Sequence, residues 1–379
     1  KMNNMIYFSS EMKSFFEIKE FSKKPNINFI DEYLYTQKIS GTNTIYSQIN
    51  EVEPGYIIKI STLNGKISSS SYYSLENTFN KNKLISNKTE ELYELMKEAV
   101  LSRCIADVPF GALLSGGIDS SLILSYMLES DNINKVNCYF ADVKNQKRSE
   151  SSAAFKVTSF LEKKYQNKKI KLKSKKNNFS SYIDLLIKTT KSFDEPVHYS
   201  NSPDLLNIVN QASQDGIKVL LSGEGADELF FGYDRMVRAY ESLKNKRSKR
   251  LIIEEMYFGG GKHSIDLVKK LCGSTKEGRK SSAAWLWLKK NIDKHPIDNL
   301  ILMFSQKFRM QALLQRQDRV GMLCGLEIRA PFLSQKLVKF ANSLELKDKF
   351  IEKSKTTKLI LKLMAKEKRL IPSEIIKKQ

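Results

Sequence analysis

Seven residues, Ser115-Gly116-Gly117-Ile118-Asp119-Ser120-Ser121, separate an apolar run ending in Ala112, Leu113 and Leu114 from a second apolar set, Leu122, Ile123, Tyr126 and Met127, at helical spacing. The order reads as strand, tight loop, helix. Paired glycines open backbone conformations closed to other residues, so successive N–H groups can face one concavity at the positive end of the helix. Ser115, Ser120 and Ser121 add hydroxyls, and the combination suits a phosphate chain. No lysine follows the glycines as it does in GxxxxGK[ST] loops. Asp119 stands there instead; an ionised carboxylate cannot donate to phosphate but can hold a magnesium ion that neutralises it. A Gly-rich turn without a ligand is the plain alternative, although serine, paired glycine and aspartate in this order exceed what a turn requires.

A second corner repeats the design. Lys218-Val219-Leu220-Leu221 runs into Ser222-Gly223-Glu224-Gly225-Ala226-Asp227-Glu228-Leu229-Phe230-Phe231-Gly232-Tyr233, where three carboxylates crowd a glycine turn. On a helix starting near Glu224, Glu228 falls one turn along with Asp227 beside it. Like charges so close repel unless a cation or a raised pKa relieves them. Helix capping by Glu224 and Asp227 is the structural alternative. Ligands of open parallel sheets collect at the carboxyl ends of the strands, so both corners can face one ligand. Asp119 and Asp227 would then share magnesium on a phosphate chain, leaving Glu224 for proton transfer. In a third block, Leu313 to Leu333, the charges Asp318, Arg319, Glu327 and Arg329 read by composition as structural ion pairs.

The elements that must position these corners follow from periodicity. Strands are expected over Val108–Leu114, Val136–Val143 and Lys218–Leu221, and helices over Ser120–Leu128, Ser151–Lys163 and Leu205–Gln214. That alternation predicts an α/β fold, a parallel sheet with helices on both faces. A helix beginning near Thr89 as its cap would bury Leu92, Met96, Ala99 and Val100. Residues before about 75 read as β-rich, with strands at Ile6–Phe8 and Tyr56–Ile60, a helical turn at Glu11–Phe16 and a helix over Ile30–Gln37. The polar stretch from Asn77 marks a boundary, giving domains 1–76 and 77–379. Lys163–Asn178 reads as a solvated face, and Lys244–Arg250 and Gly259–Gly261 as loops.

Composition narrows the classes. The chain has 379 residues, 41% hydrophobic and 28% charged, enough for a large core and two domains. It has neither an apolar stretch approaching 18 residues nor an opening signal segment, so a cytoplasmic protein without membrane contact is expected. Cys104, Cys138, Cys272 and Cys324 are scattered, which points to neither disulfides nor zinc. The net charge of +21 could attract nucleic acid, but its lysines are spread over the whole length, and no nucleic-acid partner is expected.

SGGIDSS after a hydrophobic strand resembles the PP-loop of ATP pyrophosphatases. With LLSGGIDSS at Leu113–Ser121, SFDEPVHYS at Ser192–Ser200, LSGEGADELFFGY at Leu221–Tyr233, DRVGMLCGLEIRAPFL at Asp318–Leu333 and IPSEII at Ile371–Ile376, nearly the whole chain resembles the glutamine-dependent asparagine synthetase family. YFSSEMKSFF at Tyr7–Phe16 and TIYSQINEVEPGYIIKI at Thr44–Ile60 resemble the closing portion of that family's Ntn-type glutaminase domain, without its N-terminal cysteine nucleophile. Lys1 in place of methionine suggests a trimmed chain or a fragment, not expected to hydrolyse glutamine as it stands.

The resemblance implies a ligase that turns aspartate into asparagine. The β-carboxylate attacks the α-phosphorus of ATP, and ammonia, normally derived from glutamine, displaces AMP from the β-aspartyl-adenylate. By motif position, Ser115, Gly116, Gly117, Asp119 and Ser120 would hold pyrophosphate, and Leu114, Ala141, Ser222 and Gly223 the adenosine. Asp119 and Asp227 would bind Mg2+, and Glu224 would be the catalytic base that takes a proton from ammonia. The sequence departs from the family at Gly321, usually serine, and at Ser334, usually aspartate. A family lysine that supports adenylation would align just past Gln379. A homodimer is an assembly the family allows. Three alternatives stay open: an amidotransferase or cyclase acting on another carboxylate, such as a polysaccharide sugar acid or a β-lactam precursor, a tRNA-modifying PP-loop enzyme, and a silent binding protein.

Overall fold

A computed structural model describes residues 5–36, 38–79, 87–141, 150–175, 177–197, 199–245, 248–258 and 282–377. The chain divides into two compact units, Lys1–Phe79 with Asp234–Ala312, and Asn80–Tyr233 with Leu313–Gln379. The expected loop at Gly259–Gly261 and the residue Cys272 lie outside the described residues. No described helix is long and apolar enough to cross a membrane.

Among the described residues the first unit holds helices Ile30–Thr36, Asp234–Leu243, Lys249–Phe258, Ala283–Asn291 and Ile297–Phe304 and one hairpin, Tyr56–Ile60 (β1) paired antiparallel with Ile67–Ser71 (β2) in the register Tyr56↔Ser71 to Ile60↔Ile67. A 3-10 turn covers Met12–Glu17, near the expected helical turn, and buries Met12 with Phe21 and Ile49. The strand expected at Ile6–Phe8 is not found: among the described residues these three take part in no ladder. The buried Glu32 carboxylate accepts from the Ser40 amide at 3.2 Å and from the Ser282 hydroxyl at 2.7 Å, so two remote stretches of the sequence share one polar cluster. Donors of this kind are what a buried carboxylate requires.

The second unit is built on a five-stranded parallel sheet flanked by helices. Its strands are Phe110–Leu113 (β3), Lys135–Ala141 (β4), Lys169–Lys175 (β5), Val219–Leu221 (β6) and Glu327–Arg329 (β7), in the spatial order β5-β4-β3-β6-β7. The strands and helices expected here are found within a few residues at their ends, the expected end of β4 at Val143 lying outside the described residues. β5 was expected only as a solvated lysine run. The alternation Lys169, Ile170, Lys171, Leu172 lets one side of the strand pack while lysines line a sheet edge, a device that discourages pairing with other chains. Helix Lys88–Arg103 buries Leu92, Met96, Ala99 and Val100 as expected, but its cap is Asn87, whose side chain accepts from the Glu90 amide, and not Thr89. Helix Ile118–Leu128 is buried along nearly its whole length, and Leu122, Ile123, Tyr126 and Met127 are fully inside.

The chain leaves β3 for β4 and β5 on one side and returns to β6 and β7 on the other. The reversal lies between β3 and β6, and open parallel sheets hold their ligands at the carboxyl ends of strands beside such a reversal.

Candidate active site

Both glycine corners leave adjacent strands. Phe110, Gly111 and Ala112 of β3 pair in parallel with Val219, Leu220 and Leu221 of β6, so Leu114–Ser121 and Ser222–Gly232 emerge side by side. Gly116 takes φ +74°, in the left-handed region that a glycine fills without strain. Gly117 is the N-cap of helix Ile118–Leu128 with an ordinary extended φ of −78°, so only one of the two glycines uses the conformational freedom read from the sequence. The serines brace the loop. The Ser115 amide donates to Ser120 Oγ at 3.2 Å, the two hydroxyls stand 3.1 Å apart, and Ser121 Oγ donates to the Gly117 carbonyl at 2.6 Å.

The corners touch at Gly223. A β-carbon there would stand 2.9 Å from Asp119 Cβ and 3.0 Å from the Ser120 nitrogen, so any larger residue would force the loops apart. Ser222 is buried; its amide donates to the Arg329 carbonyl and its hydroxyl to Gln317 Oε1 at 3.1 Å. Leu114, also buried, donates its amide to the Tyr139 carbonyl of β4 at 2.8 Å, and Ala141 ends that strand two residues further on. Leu114, Ala141, Ser222 and Gly223 thus all lie at the carboxyl edge of β4, β3 and β6.

Asp119 and Asp227 converge, as the two-corner reading expects, but a lysine stands between them. Lys358 Nζ lies 2.6 Å from Asp119 Oδ2 and 2.8 Å from Asp227 Oδ1. Its main chain is fixed at φ +52° as the N-cap of helix Leu359–Glu367, and its amide donates to the Phe230 carbonyl at 3.2 Å. Gly232 makes room for the group, since a β-carbon at that position would intrude on both the Asp227 carboxylate and Lys358 Cε. Burial raises the Asp119 carboxyl to about 6, with Asp227 adding to the rise and the Lys358 ammonium opposing it. Burial likewise opposes the charge of Lys358, but the two carboxylates outweigh it and hold the ammonium above its ordinary pKa. One turn along, burial and the Lys358 charge lower the Lys362 ammonium.

Glu224 is paired separately. Arg316 Nη2 lies 2.6 Å from Glu224 Oε1, Arg316 Nη1 donates to Asn201 Oδ1 at 2.7 Å, and the guanidinium stacks 5.0 Å from the Tyr199 ring centre. Burial raises the Glu224 pKa, Arg316 opposes the rise and Asp227 adds to it. Glu228 turns inward, accepts from the Tyr233 hydroxyl at 2.8 Å and is raised to about 7, chiefly by burial and then by Glu224. The acidic corner therefore holds Asp227 on a lysine, Glu224 on an arginine and Glu228 on a tyrosine.

Sequence reasoning did not single out Lys358 or Arg316. Among the third-block charges, Glu327 and Arg329 do pair at 2.9 Å, with Arg329 also donating to the Arg103 and Ile105 carbonyls, whereas Asp318 is exposed. Gly321 admits the return into β7, because a β-carbon there would lie 2.5 Å from the Leu326 carbonyl oxygen. Ser334 caps helix Gln335–Ser343 by accepting from the Leu337 amide, a role an aspartate fills equally well. The described cysteines are free thiols, and burial pushes Cys104 up to about 12 and Cys324 up to about 11.

A magnesium ion fits the donor set in part. Asp119 Oδ1 is buried without a hydrogen-bond partner, an oxygen left for a cation. No group of three or more His, Cys, Asp or Glu side chains is placed for a metal among the described residues. Two carboxylates leave most of a magnesium shell open, which is the usual arrangement where phosphate oxygens and water complete it.

The family model for asparagine synthase matches residues 91–379, and that for a glutamine amidotransferase domain matches residues 1–73. Asparagine synthetase (glutamine-hydrolyzing) 1 of Bacillus subtilis is 25% identical over 410 residues, covering 100% of this chain and 62% of the relative. Putative asparagine synthetase (glutamine-hydrolyzing) 2 of Methanocaldococcus jannaschii is 30% identical over 243 residues, covering 62% of this chain and 44% of the relative. The chain thus spans less than two thirds of the length of these curated relatives. Among solved structures, an NMN synthetase from Francisella tularensis is 15% identical with a TM-score of 0.31, covering 59% of this chain and 97% of that one.

Proposed function

The chain belongs to the asparagine synthase family, and from that premise we propose that its second unit activates the β-carboxylate of aspartate with ATP and passes the acyl group to ammonia. The observation that carries this reading is the convergence of Asp119 and Asp227 on one ammonium at the carboxyl ends of β3 and β6. A triphosphate laid across these corners meets the amides and hydroxyls of Ser115, Gly116, Gly117 and Ser120, while Leu114, Ala141, Ser222 and Gly223 border the adenosine. Magnesium on Asp119 and Asp227 would supply charge neutralisation to the phosphate chain. Lys358 and Lys362 bring further positive charge to where the pyrophosphate separates.

Attack of the aspartate carboxylate on the α-phosphorus breaks the α–β phosphoanhydride bond and releases pyrophosphate. Ammonia then adds to the acyl carbon, loses a proton and expels AMP. Glu224 is the group suited to take that proton. Burial raises its pKa above the ordinary carboxylate value, which makes it a stronger base, while Arg316 keeps the carboxylate oriented. Ammonia would come from glutamine in the glutaminase portion of the family architecture, of which residues 1–73 carry a part. We place the protein in the cytoplasm on the same reading.

Pyrophosphate release from ATP, measured with ammonium and with or without aspartate, tests the proposal. Aspartate-dependent release with matching AMP and asparagine is the expected result. Release that depends instead on another carboxylate or on tRNA, or no release at all, overturns it.

A further inference from the structure

The position that the acidic pair offers a metal is taken by a side chain of the protein. Lys358 Nζ is within hydrogen-bond distance of one oxygen of Asp119 and one of Asp227, and the lysine is buried. Its backbone is held by the Phe230 carbonyl and its stem passes Gly232, so the ammonium is directed at the carboxylates by the fold and not by chance solvent contact. Magnesium requires oxygens at about 2.0–2.1 Å in near-octahedral order and gives up water reluctantly. A cation entering between the same two oxygens must displace an ammonium that already neutralises them, and the described side chains offer it no third acidic or imidazole ligand.

We propose that Lys358 is the resident counter-ion of the Asp119/Asp227 pair, so that a divalent cation alone is excluded and enters only together with the nucleotide, onto whose phosphate oxygens the ammonium transfers. The inference rests on the nucleotide reading given above. It assigns Lys358 two successive partners. Before binding, it prevents two partly buried carboxylates from repelling one another. After binding, it follows the negative charge to the triphosphate while the carboxylates turn to the metal. The benefit is order: metal cannot saturate the corner and leave the triphosphate without its counter-ion.

The test reads metal binding, not turnover. Mn2+ is titrated into the intact chain by electron paramagnetic resonance, with and without α,β-methylene-ATP, in the wild type, Lys358→Arg and Lys358→Met. Expected is weak Mn2+ binding by the wild type and Lys358→Arg without nucleotide, tightening at least tenfold with the analogue. Lys358→Met, which keeps the stem and loses the charge, should bind Mn2+ at least tenfold more tightly than the wild type without nucleotide. Unchanged or weaker binding by a folded Lys358→Met overturns the proposal. Should Lys358→Met fail to fold, wild-type crystals soaked in Mn2+ decide: anomalous density between Asp119 and Asp227 only with the analogue supports it, and the same density without nucleotide overturns it. Failure of pyrophosphate release would sink the functional reading while leaving these metal measurements to judge the lysine.

Discussion

Two carboxylate environments, one in each unit, show what burial does when donors are supplied and when they are rationed. In the first unit Glu76 is half-buried, yet the Trp287 indole N–H at 2.8 Å, the Ser74 hydroxyl at 2.8 Å and the Lys307 ammonium at 3.5 Å surround it. Burial alone would raise it; hydrogen bonds, that of Trp287 foremost, bring it down to about 2. In the second unit burial wins: Asp119 stands at about 6, Glu228 at about 7, and Glu224 above its ordinary value. A carboxylate that only holds structure is given enough donors to stay charged. At the corner burial outweighs the partners of Asp119, Glu224 and Glu228, which leaves these carboxyls readier to take a cation or a proton.

The contrast breaks most completely at Asp119. Asp119→Ala removes the oxygen without a partner and strands Lys358 on one carboxylate, so aspartate-dependent pyrophosphate release should fall on the order of 10³-fold, measured at saturating ATP. Gly232→Ala should follow. Its methyl group forces Asp227 and Lys358 apart, so activity should fall about 100-fold and stability by about 1–3 kcal/mol in denaturant melts. An undisturbed Gly232→Ala would show that the ion cluster is not held by this approach.

Glu224→Ala sharpens the comparison by separating the steps. Adenylate and pyrophosphate should still form, while ammonia capture slows about 100-fold, read from single-turnover formation of asparagine against AMP. Equal loss of both steps would deny Glu224 a proton role. The smallest effect belongs to Glu76. Its depressed pKa contributes stability that is present above the ordinary value of 4.5 and is lost as pH falls toward about 2. Glu76→Gln should therefore lower Tm by no more than about 4 °C at pH 6, leave it unchanged near pH 2, and not alter pyrophosphate release.

Much of this was legible in the chain. Strand, glycine corner and helix are local events, written in hydrophobic period and turn chemistry, so β3, β4, β6 and the helices after them were found close to their observed limits. That two such corners meet also followed, because parallel strands end on one edge. β5 was missed because lysine alternating with Ile170 and Leu172 looks like solvated chain until a neighbouring strand gives it a ladder. The strand at Ile6–Phe8 was expected, and among the described residues these three join no ladder, so an apolar triplet alone was not enough to make one.

The sequence by itself determined the chemistry of the corners: which residues are small, which are acidic, and where each strand ends. Tertiary structure decided which cations answer them. Lys358 stands among Lys353, Lys355, Lys362 and Lys366 with nothing local to distinguish it, and Arg316 sits in a helix that reads as apolar with interruptions. Attraction between charges depends on separation in space and on exclusion of water, and neither quantity is carried by position along the chain.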